Sequence, residues 1–372
     1  MKVLLIQPTG SSAYMDKIYM YEPLGLEYLG AGLKEDGHEV FLLDARIEPD
    51  TVSYDDIAGL AIPGETLKFT AHRPYTPLDD LPFPDRSLTA PYREHYFCDW
   101  MKPLASMRTS LGCVSRCNFC ALWSITGGRY LTRKPEKILE ELATIQEEYV
   151  FFCDDESMCH VARMDRLAEL ILASGIRKQY FLYARVDTVV KNPQLFAKWK
   201  RAGLAQVFVG FETYSDERLA KLNKNCTLQQ QEQAIKILNE LEIDIYGSFM
   251  VDPSFTKGEF EQFINYIRKL KISHAGLSIL TPLPGTDLYR ETEQRLLTKE
   301  PEFYDFMHTV LPTTLPLEDF YREYARALMK SAPWPRYFRF IMKFPFNRRL
   351  RTMKQYWEVL KYIREGYKRH VS

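Results

Sequence analysis

Long hydrophobic runs are the first thing this 372-residue sequence lacks. Nowhere do about 18 apolar residues follow one another without a break, so no segment reads as a membrane span. The opening Met1-Lys2-Val3-Leu4-Leu5-Ile6-Gln7-Pro8 is too short an apolar stretch for a secretory leader, and the expectation is a protein that is neither exported nor membrane-spanning. Net charge is absent as well, 49 Lys and Arg balancing 49 Asp and Glu, so any electrostatic preference for a partner has to come from a local asymmetry. Cysteine is sparse. Seven residues, an odd number dominated by one tight group, argue against a disulfide framework and for a reducing compartment, the cytoplasm. Length and composition suit one large folded domain with smaller appendages.

The tight group is Cys113-x-x-x-Cys117-x-x-Cys120, within Thr109-Ser110-Leu111-Gly112-Cys113-Val114-Ser115-Arg116-Cys117-Asn118-Phe119-Cys120. Three thiolates on one short loop can hold three irons of a cubane and leave the fourth without a protein ligand. A closed structural zinc site would recruit a fourth donor. The alternatives are a zinc knuckle or three packed thiols, but zinc ligands usually come as separated pairs, and Cys98, Cys153, Cys159 and Cys226 form none. The spacing, with the aromatic Phe119 between the last two cysteines, resembles the radical S-adenosylmethionine (SAM) superfamily. The resemblance implies a 4Fe-4S cluster on Cys113, Cys117 and Cys120. Its open iron would take the amino and carboxylate groups of SAM, and reductive cleavage would give a 5′-deoxyadenosyl radical. Phe119 would shield the cluster and face the adenine.

Residues 1 to about 45 read as strand (Val3 to Ile6), helix (Leu24 to Leu33), Gly37 stop and strand (Val40 to Leu43), a βαβ opening. By Asp56 the text is loop-like, so this doubly wound segment is cut short. From Met107 the pattern is strand then helix, repeated. Strands are expected at Met107 to Leu111, Val150 to Asp154, Tyr180 to Val186, Gln206 to Glu212, Ile243 to Val251 and Gly276 to Thr281. Helices are expected at Pro135 to Glu148, Arg163 to Ser174, Pro193 to Ala202, Leu228 to Leu241 and Lys257 to Leu270. The fold expected is α/β: a partial (β/α)6 TIM-like barrel preceded by a truncated Rossmann-like βαβ segment and followed by a helical C-terminal region. Its divisions are 1–60 for the shortened segment, 61–104 for a linker, 105–290 for the barrel and 291–372 for the basic, aromatic end. In such barrels functional groups gather at the C-terminal ends of the strands.

Strand ends nominate the remaining site residues. Asp154 and Asp155 follow the second strand, where carboxylates can accept hydrogen bonds from an ammonium; by the resemblance they lie near the SAM amino group, and the alternative is a solvated acidic loop. Arg185 after the third strand can pair with the SAM carboxylate as a bidentate fork, or make an ordinary salt bridge to Glu212. Gly210-Phe211-Glu212 resembles the family's Gly-x-Glu motif, its carboxylate suited to ribose hydroxyls or the methionine portion. Ser248 and Pro284 lie in segments resembling the adenine-side strand and the Pro-x-Pro-Gly-Thr turn; a purely structural turn is the competing reading. Cys153, Cys159 and Cys226 read as packing residues.

Two ends of the chain point to a branch. Val3-Leu4-Leu5-Ile6-Gln7-Pro8, Pro23-Leu24-Gly25-Leu26-Glu27-Tyr28-Leu29 and Asp79-Asp80-Leu81-Pro82-Phe83-Pro84-Asp85-Arg86 resemble the cobalamin-binding class of the superfamily, many of whose members methylate unactivated carbon. No Asp-x-His-x-x-Gly is present, and the text runs from Asp44-Ala45-Arg46 almost directly to Ile57-Ala58-Gly59-Leu60-Ala61-Ile62, which resembles the end of that domain. Cobalamin is therefore an expectation only if the shortened domain still encloses a corrin. From Pro333 onward 11 Lys or Arg face two acids, Glu358 and Glu365, interleaved with aromatics. That pattern suits a lipid headgroup surface, fits nucleic acid less well, and otherwise describes an amphipathic helix with a solvated basic face. The tail and Thr313-Thr314-Leu315-Pro316 look somewhat like hopanoid C-3 methylases, which handle membrane lipids. The expectation is a cytoplasmic radical SAM enzyme, peripheral to the membrane in one reading. It would draw electrons from a reductant such as ferredoxin or flavodoxin and act on a small-molecule or lipid substrate, with methylation first, hydrogen abstraction or rearrangement without methyl transfer second, and a noncatalytic lipid- or RNA-binding barrel third.

Overall fold

The computed structural model describes residues 2–7, 19–20, 23–44, 77–331 and 334–370. The segment Ile57 to Ile62 lies outside the described residues, as does Ala45-Arg46. In chain order the strands are β1 (Lys2–Gln7), β2 (Tyr19–Met20), β3 (Glu39–Asp44), β4 (Phe97–Cys98), β5 (Leu104–Met107), β6 (Ser110–Gly112), β7 (Tyr130–Thr132), β8 (Tyr149–Phe152), β9 (Gln179–Ala184), β10 (Leu204–Glu212), β11 (Asp244–Val251) and β12 (His274–Ile279). Six of them make one parallel sheet in the order β12-β11-β10-β9-β8-β5.

Alternation along these strands separates two faces. Val150, Phe152, Tyr180, Leu182, Val207, Val209, Ile245 and Phe249 point to the helix side and are buried against helices Pro135–Thr144, Val161–Ser174, Pro193–Ala202, Leu228–Glu240 and Lys257–Lys269. The last two helices start on reciprocal caps, Thr227 with Gln230 and Thr256 with Glu259, each satisfying two backbone N–H groups that a helix start leaves open. The opposite, inner face carries a cross-strand row of rings: Phe151 on Phe181 at 4.9 Å, Tyr183 on Phe208 at 4.6 Å, Phe208 on Tyr246 at 5.1 Å and Tyr246 on His274 at 4.5 Å. Each such contact adds about 0.5–1.5 kcal/mol beyond burial, and the row floors the inner face halfway along the strands.

The first expected strand is corrected. Met107 to Leu111 is not one strand: β5 ends at Met107, and β6 leaves the sheet to pair antiparallel with β7. The helix expected to reach Glu148 ends at Thr144, and short helices Val186–Lys191 and Asp216–Lys221 follow β9 and β10 unannounced by periodicity.

At the N-terminus β1 and β3 pair in parallel beside helix Leu24–Glu35, and Leu5, Val40 and Leu42 bury against Leu88, Tyr92 and Tyr96. Arg86 ties that segment to the main sheet through Ser106 O at 2.7 Å and Glu141 at 2.9 Å. After β12 the chain is helical: Leu317–Ser331, Trp334–Met342 and Phe346–Arg364. The first is anchored by Tyr324 donating to Leu277 O at 2.8 Å. No helix among the described residues is long and apolar enough to cross a membrane.

Candidate active site

Hairpin β6–β7 carries the cysteine loop above the C-terminal ends of the sheet strands, and the two aspartates after β8 set its height. Asp154, 1% exposed, accepts from Thr109 N (2.7 Å), Ser110 N (2.8 Å) and Thr109 Oγ1 (2.5 Å). Asp155 accepts from Gly112 N at 2.6 Å, one residue before Cys113. Both carboxylates hold the hairpin, Asp154 through both of its oxygens and Asp155 through Oδ2. Gly112 has φ +94°, and a Cβ there would sit 2.0 Å from Arg129 O, so the turn into Cys113 admits only glycine.

The loop is clamped from two further strand ends. Asn223 Nδ2 donates to Arg116 O at 2.5 Å, Asn118 Nδ2 to Lys221 O at 2.9 Å, and Asn118 N to Leu222 O at 3.2 Å, all from the segment after β10. From the turn after β12, Leu288 N donates to Asn118 O at 2.9 Å, and Gly285 O accepts from Ser124 Oγ. Pro284 is exposed and shapes that turn. Phe119 packs with Leu222, Leu280, Leu288 and Met250.

Cys113 and Cys117 are buried and Cys120 is half-buried. Burial pushes the Cys120 thiol up, and Cys117 and Cys113 add to it. Cations stand beside them. Arg185 places Nη1 3.7 Å from Cys117 Sγ, Nη2 2.9 Å from Lys224 O and Nε 3.0 Å from Asp187, so its ion pair is with Asp187, and the salt bridge to Glu212 weighed from sequence does not form. Glu212 instead pairs with Lys224, both nearly buried. A register shift between Gly210 and Glu212, with Glu212 at φ +67°, turns this carboxylate into the pair. Gly210 leaves it room: a Cβ there would meet Glu212 Oε1 at 2.3 Å and Lys224 Nζ at 2.8 Å. Burial alone would lower the Lys224 pKa, but the Glu212 and Cys117 charges outweigh it and hold the ammonium above its ordinary value. Ser248 stands on the inner face of β11, paired with Gly210 across the ladder.

Sequence reading did not assign three neighbours, Glu156, Cys159 and Lys224, to the site. Glu156, 2% exposed with an unpartnered Oε1, has a carboxyl pushed up to about 7 by burial, against the pull of Arg185. Cys159 is pushed up to about 12 by burial, Glu156 and Cys113. Glu156 was legible as part of Asp154-Asp155-Glu156; Cys159 carried no signal. Lys224 followed no motif either.

Among the described residues no three His, Cys, Asp or Glu side chains converge as they would around a single metal ion. A cubane does not ask for that convergence, because each thiolate binds its own iron. The donor set, three cysteines on one clamped loop with two cations at Cys117, fits a cluster of negative charge.

Fold and loop together define an α/β protein with a parallel six-stranded sheet and a tri-cysteine rim. Residues 107–267 match the model of the Radical SAM superfamily, and the chain carries a radical SAM domain. The hopanoid C-3 methylase of Methylococcus capsulatus is 33% identical over 232 residues, 62% of this chain and 45% of that relative. The anaerobic magnesium-protoporphyrin IX monomethyl ester cyclase of Rubrivivax gelatinosus is 23% identical over 359 residues, covering 92% of this chain and 63% of that one. The chain thus spans about half to under two thirds of the length of these relatives. Two solved structures share the fold. The radical SAM methyltransferase TsrM from Kitasatospora setae with cobalamin and a [4Fe-4S] cluster bound has a TM-score of 0.59 at 16% identity, covering 84% of this chain and 82% of that one. The cobalamin-dependent SAM radical enzyme OxsB has a TM-score of 0.61 at 13% identity, covering 97% and 63%.

Proposed function

We propose that the protein is a radical SAM enzyme that functionalises an unactivated carbon of an apolar, lipid-like substrate, with methyl transfer as the outcome. The observation that carries this reading is the tri-cysteine loop pinned by Asp154 and Asp155 and flanked by Arg185 and Lys224. Cys113, Cys117 and Cys120 would hold the 4Fe-4S cluster, which when bound supplies the electron for SAM cleavage at its open iron. Around it, Arg185 and Lys224 offset thiolate charge, Phe119 covers one side, and the ring row below excludes water from the inner face. Ser248 and the Glu212 carboxylate are the polar groups of the inner rim suited to the nucleoside and methionine portions of SAM. The likeness to hopanoid C-3 methylase supports a lipid substrate and methylation. The cobalamin-carrying structures support a corrin as methyl donor, for which β1, helix Leu24–Glu35 and β3 are the opening of a suitable domain. The C-terminal region supports a peripheral membrane contact: Phe338, Phe346, Leu350 and Trp357 are exposed beside Arg351, Lys354, Lys361 and Arg364.

Anaerobic reconstitution followed by dithionite reduction with SAM tests the reading. Four irons per chain and 5′-deoxyadenosine formation, both lost in Cys117→Ala, are expected. A full cluster without SAM cleavage would leave only a cluster-containing binder, and corrin absorbance after cobalamin loading separates methylation from hydrogen abstraction alone.

A further inference from the structure

Beside the sheet, away from the cysteine loop, lies a cavity that the site described above does not use. Strand β12 is an edge of the sheet; β11 pairs with one side, and on the other Ile279 N donates to Phe306 O at 2.7 Å near the strand's end. Helices Trp334–Met342 and Phe346–Arg364 face the rest of that edge, and between them and the strand is a cavity of about 260 Å³. This approaches the size at which small-molecule sites begin, roughly 300 Å³. Leu277, Leu328, Phe340, Tyr356 and Val359 give it apolar walls. The wall from Ser273 to Ser278 is roughly 16 Å long at about 3.3 Å per strand residue. Ser248 belongs both to this wall and to the inner face of β11, two residues past Tyr246 of the aromatic row, so cavity and rim share a boundary.

The lining also holds Ser273, Ser278, His274, Asp305 and Gln355, and two of its charged residues matter here. Asp99 is 5% exposed, and its Oδ2 has no hydrogen-bond partner. Arg348 lies over the Phe97 and Phe344 rings, and its buried Nη1 has none either. Gln206 faces the Asp99 carboxyl without closing a well-formed hydrogen bond, and burial raises that carboxyl above its ordinary value. Native folds leave few buried polar atoms unsatisfied, and two on one cavity suggest that a ligand completes them. An alcohol hydroxyl donates a hydrogen bond and so can answer the Asp99 oxygen. A carboxylate answers only the guanidinium, and a hydrocarbon answers neither.

We propose that this cavity binds an apolar alcohol, with its hydrophobic body along β12 and its hydroxyl on Asp99, as the substrate of the radical site. The substrate role rests on the function proposed above, while the binding itself does not. The test uses the full chain, reconstituted without oxygen, with Nile red as the reporter of the cavity and 1-dodecanol, dodecanoic acid and dodecane as competitors. Dodecanol should displace the dye at about tenfold lower concentration than either other probe, the worth of one satisfied hydrogen bond. Asp99→Gly removes the carboxyl where φ is +52°, a conformation glycine accepts, and should bring dodecanol level with the other two. Thr352→Trp and Leu328→Trp fill the cavity from two helices and should abolish displacement by all three, with circular dichroism reporting that each variant is folded. Equal competition by the three probes, an alcohol preference that survives Asp99→Gly, or displacement unchanged in a folded filling variant would each overturn the proposal. SAM cleavage measured without probe keeps the two readings apart. Alcohol binding through Asp99 in a protein that forms no 5′-deoxyadenosine would remove the reaction and keep the cavity; cleavage without alcohol preference would do the reverse.

Discussion

Replacing Lys224 with Met leaves Glu212 as an uncompensated charge in a site where it is 6% exposed. The methionine fills most of the lysine's volume, so the cost is electrostatic rather than a cavity. Removing one partner of a buried ion pair costs about 3–5 kcal/mol, whereas removing both charges is often near neutral. Urea unfolding of the cluster-free protein should therefore show Lys224→Met and Glu212→Gln each destabilised by about that much, and the double variant less destabilised than either. The expected coupling exceeds about 2 kcal/mol; a double variant whose loss equals the sum of the singles within about 0.5 kcal/mol would refute the pair's role. The pH dependence supplies a second check. Because the folded ammonium is held above its ordinary value, its contribution is complete below the unfolded lysine value near 10.4 and is lost as pH climbs through the folded one. The wild-type advantage over Lys224→Met should thus stay flat from about pH 6 to 9 and shrink only above that. An advantage already falling in that neutral window would contradict the assignment. The same variant removes a cation beside Cys117, and iron retained after desalting should drop with it.

Glu156 gives a pH slope of the same direction as Lys224 but in a lower window. Its folded carboxyl is raised to about 7, so the folded state holds a proton the unfolded state has given up, and stability falls as pH rises from about 4.5 to 7. Glu156→Gln should flatten that slope and gain up to about 3 kcal/mol at pH 8 in cluster-free protein, and an unchanged slope by urea titration would count against it. Gly112→Ala forces a Cβ onto Arg129 O at positive φ and should cost about 3 kcal/mol or more together with the cluster, checked by iron content against a melting curve. Phe346→Ser with Leu350→Ser should weaken flotation with phosphatidylglycerol vesicles about a hundredfold while leaving SAM cleavage intact; equal flotation of both proteins would remove the membrane-facing reading.

What could be read from the sequence followed from periodicity and from the thiol spacing. Strands β8 to β12 and the five covering helices announce themselves because alternation and 3.6-residue periodicity report burial directly. The failure at Met107 to Leu111 has a definite cause. Ser110-Leu111-Gly112 is as apolar and extended as a sheet strand, and only the Asp154 carboxylate and Gly112's positive φ divert it into a hairpin, which no local pattern reveals. Lys224 was invisible for a similar reason: a lysine in a loop reads as solvated until the register shift at Glu212 supplies a buried partner. Asp154 and Asp155 read from sequence as a carboxylate pair for an ammonium, and in the structure Asp154 through both oxygens and Asp155 through Oδ2 accept hydrogen bonds from Thr109, Ser110 and Gly112. A short acidic run gives no sign of which backbone amides will face it.

The two clamps on the cysteine loop tie it to the turns after β10 and β12, the last strand of the sheet. Asn118 takes a hydrogen bond from Leu288 on the turn after β12 and gives one to Lys221 after β10, so the loop spans the rim between those two strand ends. The sheet is open at β12, and an open parallel edge needs cover, because its backbone groups would otherwise pair with another chain. The C-terminal helices give that cover through Tyr324 on Leu277 O and through the packing of Phe340 against His274 at 4.8 Å. Helices meeting an edge side-on cannot fill the space beside it as another strand would. The cavity beside β12 lies in that unfilled space, and through Ser248 it borders the inner face from outside the sheet.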